Sequence, residues 1–258
     1  VDLAAVILNH IPTVGLVLMR ISGIIAVAPP FAAATVPVAV RALLALALTL
    51  IVVPAVPAWT GAGPWDFAAA AAGELAMGLA MGLIILLLLL AIQGAGELID
   101  LEMGFGLVNV IDPAFGRPVP LVGNFLYFLA LVVFLAVDGH LLVLRALLDS
   151  FQAIPPGGGR WEGPVLAAVA RQFAWVIVTA VRIALPVVGV LFLTTAALGV
   201  LARTMPQLNV FMVGLALKIA LGLAVIALVL PALYQVFLDG FDTTFDFVRG
   251  FLRELGGR

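Results

Sequence analysis

Apolar runs set the rhythm of this chain, and polar or proline-rich breaks separate them. The first run, Thr13 to Ala28, carries Arg20 near its middle and stops at Pro29-Pro30. As a helix rising 1.5 Å per residue it reaches about 24 Å, short of a hydrocarbon core of about 30 Å. After the corner FAAATVP and Arg41 comes Ala42 to Val53, closed by Pro54 and short as well. Two short runs about a proline-rich corner predict a hairpin packed in protein. Phe67 to Gln93 is the strongest predicted span, and its Gly78 and Gly82 form a GxxxG pair that lets two helix backbones approach closely. Glu74 in the same helix reads as a carboxylate near a membrane edge, with an ion-coupling site as the alternative.

The pattern changes from Gly94 to Pro120. Glycines at 94, 96, 104, 106 and 116 loosen the backbone, Glu97, Asp100 and Glu102 crowd the first half, and Met103, Phe105, Leu107, Val108, Val110 and Ile111 fill the second. The segment is too polar to span and too apolar to lie in water. Irregular backbone at membrane depth survives only inside protein or along a cavity, so a re-entrant or pore-lining apolar loop is predicted over 94–120.

Leu121 to Phe151 predicts a further helical segment. Asp138 and Arg145, seven apart, share a helical face, as do Arg145 and Asp149, which suggests ion pairs at helix ends. Asp138 and His140 are the alternative, a proton relay. IPPGGGRWEGP, within 152–164, reads as a flexible connector dividing the chain unevenly. Beyond it Val165 to Ala202 is too long for one straight span and holds Pro186, which predicts a kinked or broken helix. A polar corner, Thr204 to Asn209, then turns the chain about Pro206, with Gln207 and Asn209 able to serve frayed helix ends. Val210 to Phe237 follows, with Lys218 two turns in, where an ammonium among hydrocarbon needs a partner or a wet cavity. The tail sets Phe241, Phe245, Val248 and Leu252 on one face and Asp242, Asp246, Arg249 and Arg253 beside it, an amphipathic interfacial or partner helix.

Composition then fixes the class. Of 258 residues 65% are hydrophobic and 10% charged, against about 45–50% and about 25% in soluble domains. The prediction is an all-α integral membrane protein, or a subunit buried in one. Without cysteine there are no disulfides and no thiolate metal sites, and a net charge of −2 leaves no footprint for nucleic acid. The opening residues lack a basic region and a cleavage site, so no cleaved signal peptide is expected. HExxH, nucleophile-elbow and P-loop patterns are missing, and His10 and His140 are far apart. That argues against an enzyme, a metal centre or a cofactor. A solute transporter and a subunit of a larger conduit remain. The transporter is the weaker reading, because charges gather near segment ends and no repeat is visible.

Four stretches carry a resemblance: Pro29 to Leu50, Gly96 to Gly116, Asp138 to Gly157, and Ala197 to Leu223 with its PQLNVF followed by VG and LKI. Their order and spacing resemble the FliR family of flagellar type III export-gate subunits and, more distantly, its injectisome counterpart. The resemblance covers nearly the whole chain and implies one export-gate domain over 1–258: helical hairpins with the apolar loop over 1–151, the connector, and a helical hairpin with the tail over 165–258. It implies bent hairpins with a re-entrant loop, packed with FliP-, FliQ- and FlhB-like subunits around a channel for unfolded polypeptides, in the bacterial inner membrane at the flagellar basal body. Met103, Phe105, Leu107 and Val110 would then form the channel constriction. Arg41, Asp138, His140, Pro206, Gln207, Asn209 and Lys218 are the structural motif positions.

Overall fold

The computed structural model describes residues 11–61, 63–105, 120–159, 161, 163–205 and 209–256, with the side chains of 163–166 excepted. Every regular element among them is helical, so the all-α expectation holds. Seven α-helices follow in order: α1 Ile11–Val27, α2 Val38–Val52 with a 3-10 turn Val53–Ala55, α3 Pro64–Met103, α4 Leu121–Ala136, α5 Gly139–Ala153, α6 Gly163–Thr204 and α7 Val210–Leu255. Four helical stretches among the described residues are long and apolar enough to cross a membrane. A fifth is added if α4 and α5, bent by 67°, count as one span.

The chain divides into two compact units. One takes residues 1–87, 133–173 and 242–258; the other takes 88–132 and 174–241. None of the four boundaries falls at the connector, where the sequence suggests a division.

In the first unit α1 and α2 form the predicted hairpin, with α1 short as expected but Val38–Ala55 long and apolar enough to cross a membrane, and α1 also lies against the start of α3. Gly23 and Gly78 make that contact possible. A methyl on Gly23 would meet the Leu75 carbonyl at 2.7 Å, and one on Gly78 would strike the Arg20 carbonyl. Leu16, Val17 and Ile21 of α1 and Met77 and Met81 of α3 are wholly buried. The end of α7 belongs here too. Val248, Leu252 and Leu255 are buried while Asp242, Asp246, Arg249 and Arg253 are exposed. The amphipathic tail therefore spends its apolar face on the chain's own core, and it continues α7 rather than standing as a separate surface helix.

In the second unit the remainder of α3 packs with α4 and α6. Gly96 lets α3 meet the start of α4, where a methyl would come within 2.7 Å of the Gly123 nitrogen. Here the structure departs from the predicted loop, because α3 runs without a break through Gly94 and Gly96 to Met103. In apolar surroundings a helix satisfies its own backbone, so glycines that weaken a helix in water serve close packing instead. The chain leaves the helix at Gly104, whose φ of 90° suits glycine. The rest of the predicted loop, 106–119, lies outside the described residues. α6 and α7 likewise run through Pro186 and Pro231 without breaking.

A break does occur where one helix was expected. Val137 and Asp138 separate α4 from α5, and Asp138 has a left-handed backbone with φ 58°. Aspartate is among the few residues that tolerate that conformation.

Candidate functional site

The first unit is tied together by one buried ion pair. Arg20 of α1 is 0% exposed and Glu74 of α3 is 1% exposed. The guanidinium grips the carboxylate through two bonds, Nε to Oε2 and Nη2 to Oε1, the latter 2.9 Å. Its other donors reach Ser150 Oγ at 3.1 Å and the Ile154 carbonyl at 3.1 Å, and the Phe151 ring lies 4.2 Å from the guanidinium carbon. Glu74 Oε1 also accepts the Gly157 N–H at 2.8 Å. A planar fork of donors matched to a carboxylate, with two further donors on oxygen, is the arrangement that makes a buried charge pair tolerable. Glu74 is thus the internal counter-ion of Arg20.

The same contacts correct the reading of the connector. Ile154 and Pro156 are buried, and Gly157, with φ 78°, lets the backbone pass Trp59. Trp59 is itself fixed by its N–H to Thr13 Oγ1 and by an edge contact with Phe67. The stretch that looks flexible is docked. A cleft of about 380 Å³ opens beside it, lined by Trp59, Asp66, Gly73, Glu74, Met77 and Trp161 among others. Of its two acids, Glu74 is committed to Arg20 and Asp66 stands exposed in the first turn of α3.

The second unit handles its acids differently. Asp100 is buried and accepts the N–H groups of Val122 and Gly123, each at 3.0 Å. It therefore caps the first turn of α4 from another helix, where two unpaired amides and the positive end of the helix dipole favour a carboxylate. Glu102 meets Lys218, whose Nζ lies 3.3 Å from Oε1 and 3.2 Å from the Glu102 carbonyl, and Thr195 Oγ1 donates to the same carboxylate at 3.2 Å. Glu97 accepts from Gln93 Nε2 at 3.3 Å. The acidic trio is thus engaged within the chain.

The family model for bacterial export proteins, family 1, matches residues 11–244. A flagellar biosynthetic protein FliR from Pectobacterium carotovorum is 31% identical over 242 residues, 92% of this chain and 91% of the relative. The Escherichia coli FliR is 29% identical over 92% of both, and the Bacillus subtilis FliR is 39% identical over 64% of this chain and 65% of the relative. The chain belongs to the FliR family of bacterial export proteins.

Among the FliR-type motif positions, Lys218 is joined to Glu102 as described, and Arg41 donates to the Val36 carbonyl at 2.9 and 3.1 Å and to the Ala33 carbonyl, fastening the corner that precedes α2. Asn209 Oδ1 accepts the Met212 N–H at 3.3 Å, a cap for α7. Pro206 and Gln207 lie outside the described residues. Asp138 marks the α4–α5 break, and His140 is half-buried with Nδ1 unpartnered. The expected pairs Asp138–Arg145 and Arg145–Asp149 are not formed, nor does Asp138 bond His140. Of the four positions expected to form a constriction, Met103 is wholly buried against Gly222 and Phe105 is half-buried, while Leu107 and Val110 lie outside the described residues. No cluster of potential metal ligands occurs among the described residues.

Proposed function

We propose that this FliR-family chain is a non-catalytic subunit of the flagellar type III export gate, in the inner membrane at the basal body. It acts there as a single domain over 1–258, together with FliP-, FliQ- and FlhB-like subunits and membrane lipid, to pass unfolded polypeptides. The observation that carries this reading is the family match over residues 11–244, joined by FliR relatives aligned over about nine-tenths of either chain. Helices long and apolar enough to cross a membrane agree with it. So do charges committed to helix packing rather than arranged as a reactive set. Deleting the gene should abolish secretion of flagellar building blocks and swimming while growth continues. A deletion strain with normal filaments would refute the role.

Within that gate, the segment beginning at Met103 is proposed as an apolar gasket. Met103 anchors it in the core, Gly104 releases the backbone, and Phe105, Leu107 and Val110 close around a varied polypeptide without specific bonds. Narrow apolar rings stop water and ions by dewetting. Replacing Leu107 and Val110 by glycine should give an assembled complex that leaks ions, read as conductance. An assembled, tight and fully secreting double mutant would remove these two residues from the seal.

A further inference from the structure

Arg182 lies inside α6, 15 residues after Ala167 and 22 before Thr204, the ends of a stretch apolar enough to cross a membrane. Its side chain is exposed, and no ion pair or hydrogen bond holds it. That sets it apart from Arg20 and Lys218, which the chain provides with partners. Around it the helix face is apolar. Val178, one turn before, is 48% exposed and Leu185, one turn after, is 62% exposed. Two turns on, Gly189 has open space where a side chain would stand, which allows another helix backbone to come close. A groove of about 320 Å³ continues this face between α3 and α6, lined by Leu98, Leu101, Val181, Leu185 and Val188 and by Glu102, whose carboxylate is held by Lys218.

A second observation falls on the same residue. Pro186 stands four positions after Arg182 and has no N–H, so the Arg182 carbonyl loses its helical donor. One turn of α6 therefore presents an unmatched guanidinium and a carbonyl that lacks its regular helical donor among exposed apolar side chains. Hydrocarbon satisfies neither, and both are costly to leave unpaired away from water. A lipid phosphate would answer the guanidinium, but the donors of a lipid headgroup lie at the membrane surface and not along a helix face. A protein helix can offer a carboxylate and a hydroxyl or amide donor within one turn.

We propose that the α6 face running from Val178 through Arg182 to Gly189 docks an apolar helix of another gate subunit, which carries a carboxylate opposite Arg182. The proposal rests on the export-gate reading and adds the surface and the chemistry of the partner. Arg182→Glu should reduce the complex recovered through a tag on this chain roughly tenfold or more, since like charges then face each other across the contact. Arg182→Lys should keep most of it, because the charge remains. Selection for motility from Arg182→Glu should return changes from an acidic to a basic residue in an apolar helix of a partner. The chain has no cysteine, so Leu185→Cys gives a single thiol on this face in an otherwise native complex, and a short bifunctional crosslinker should join it to another subunit. Wild-type recovery of the Arg182→Glu complex overturns the docking face, and so does crosslinking to lipid alone or to nothing. Those results leave the export role standing, because that role falls only if the deletion strain still builds filaments.

Discussion

Arg20 and Arg182 look alike in the sequence and differ in every physical respect once the chain is folded. Each interrupts an apolar helix. Arg20 is wholly buried and has a carboxylate, a hydroxyl, a carbonyl and an aromatic ring around it. Arg182 is exposed among apolar side chains and has none of these. The contrast separates two uses of charge in apolar surroundings. A charge whose partners all come from its own chain fixes the internal packing, and one left open hands its requirement to another molecule.

The largest expected effect comes from spoiling the closed site. Glu74→Ala leaves the Arg20 guanidinium buried without its counter-ion, which costs about 3–5 kcal/mol and is a large share of the ~5–15 kcal/mol holding a domain together. The chain should then disappear from membranes, as read by immunoblot in a strain with every other export gene intact. The double change Arg20→Met with Glu74→Met should recover much of the level, since apolar residues of similar volume often replace a buried pair at little cost. Wild-type amounts of the Glu74→Ala chain would erase the distinction between the two arginines. Next comes Gly78→Ala, which places a methyl on the Arg20 carbonyl and forces α1 away from α3. Overpacking of this kind costs about 1–3 kcal/mol, visible as a lower melting temperature of the purified complex. In the second unit Asp100→Ala uncovers the buried amides of Val122 and Gly123 at about 1–3 kcal/mol for the loss, and hydrogen exchange at those two amides should accelerate. The smallest change is Gly199→Ala on α6, where nothing lies within 4 Å. The helix should gain about 0.5–1 kcal/mol from the better helix former. Loss of assembly in that variant would show that a partner's backbone occupies this part of α6.

Much of the helical plan is legible in the pattern of apolar runs, because in apolar surroundings length and hydropathy nearly determine a helix. Glycine misled the reading at Gly94 and Gly96. The same residue loosens a loop in water and lets helices touch in hydrocarbon, and only the tertiary neighbours, Ala180 for Gly94 and Gly123 for Gly96, distinguish the two. The Arg20–Glu74 pair was missed although a signal existed. Gly23 stands three residues after Arg20 and Gly78 four after Glu74, so once the glycines mark a close helix crossing, the two opposite charges fall beside each other one turn away. Ser150, the Ile154 carbonyl and the Gly157 N–H had no such signal, because backbone groups are invisible in a sequence and the proline- and glycine-rich connector resembles a free linker. Lys218 was correctly expected to need a partner. That Glu102 supplies it depends on a helix continuing where a loop was predicted, which ran the carboxylate along α3 instead of leaving it in irregular chain.

The double duty of Glu74 sets a timetable for biosynthesis. Its Oε1 receives both Arg20 and the Gly157 amide, and Gly157 follows Glu74 by 83 residues. At a synthesis rate of about 5–20 residues per second, α1 and the start of α3 exist for roughly 4–17 s before the connector can arrive to complete the cluster. Throughout that interval the guanidinium has its counter-ion but lacks Ser150, Phe151 and the Ile154 carbonyl. The emergence of the connector thus completes the Arg20 cluster, while the first unit as a whole closes only when the end of α7, another 85 residues or more downstream of Gly157, follows.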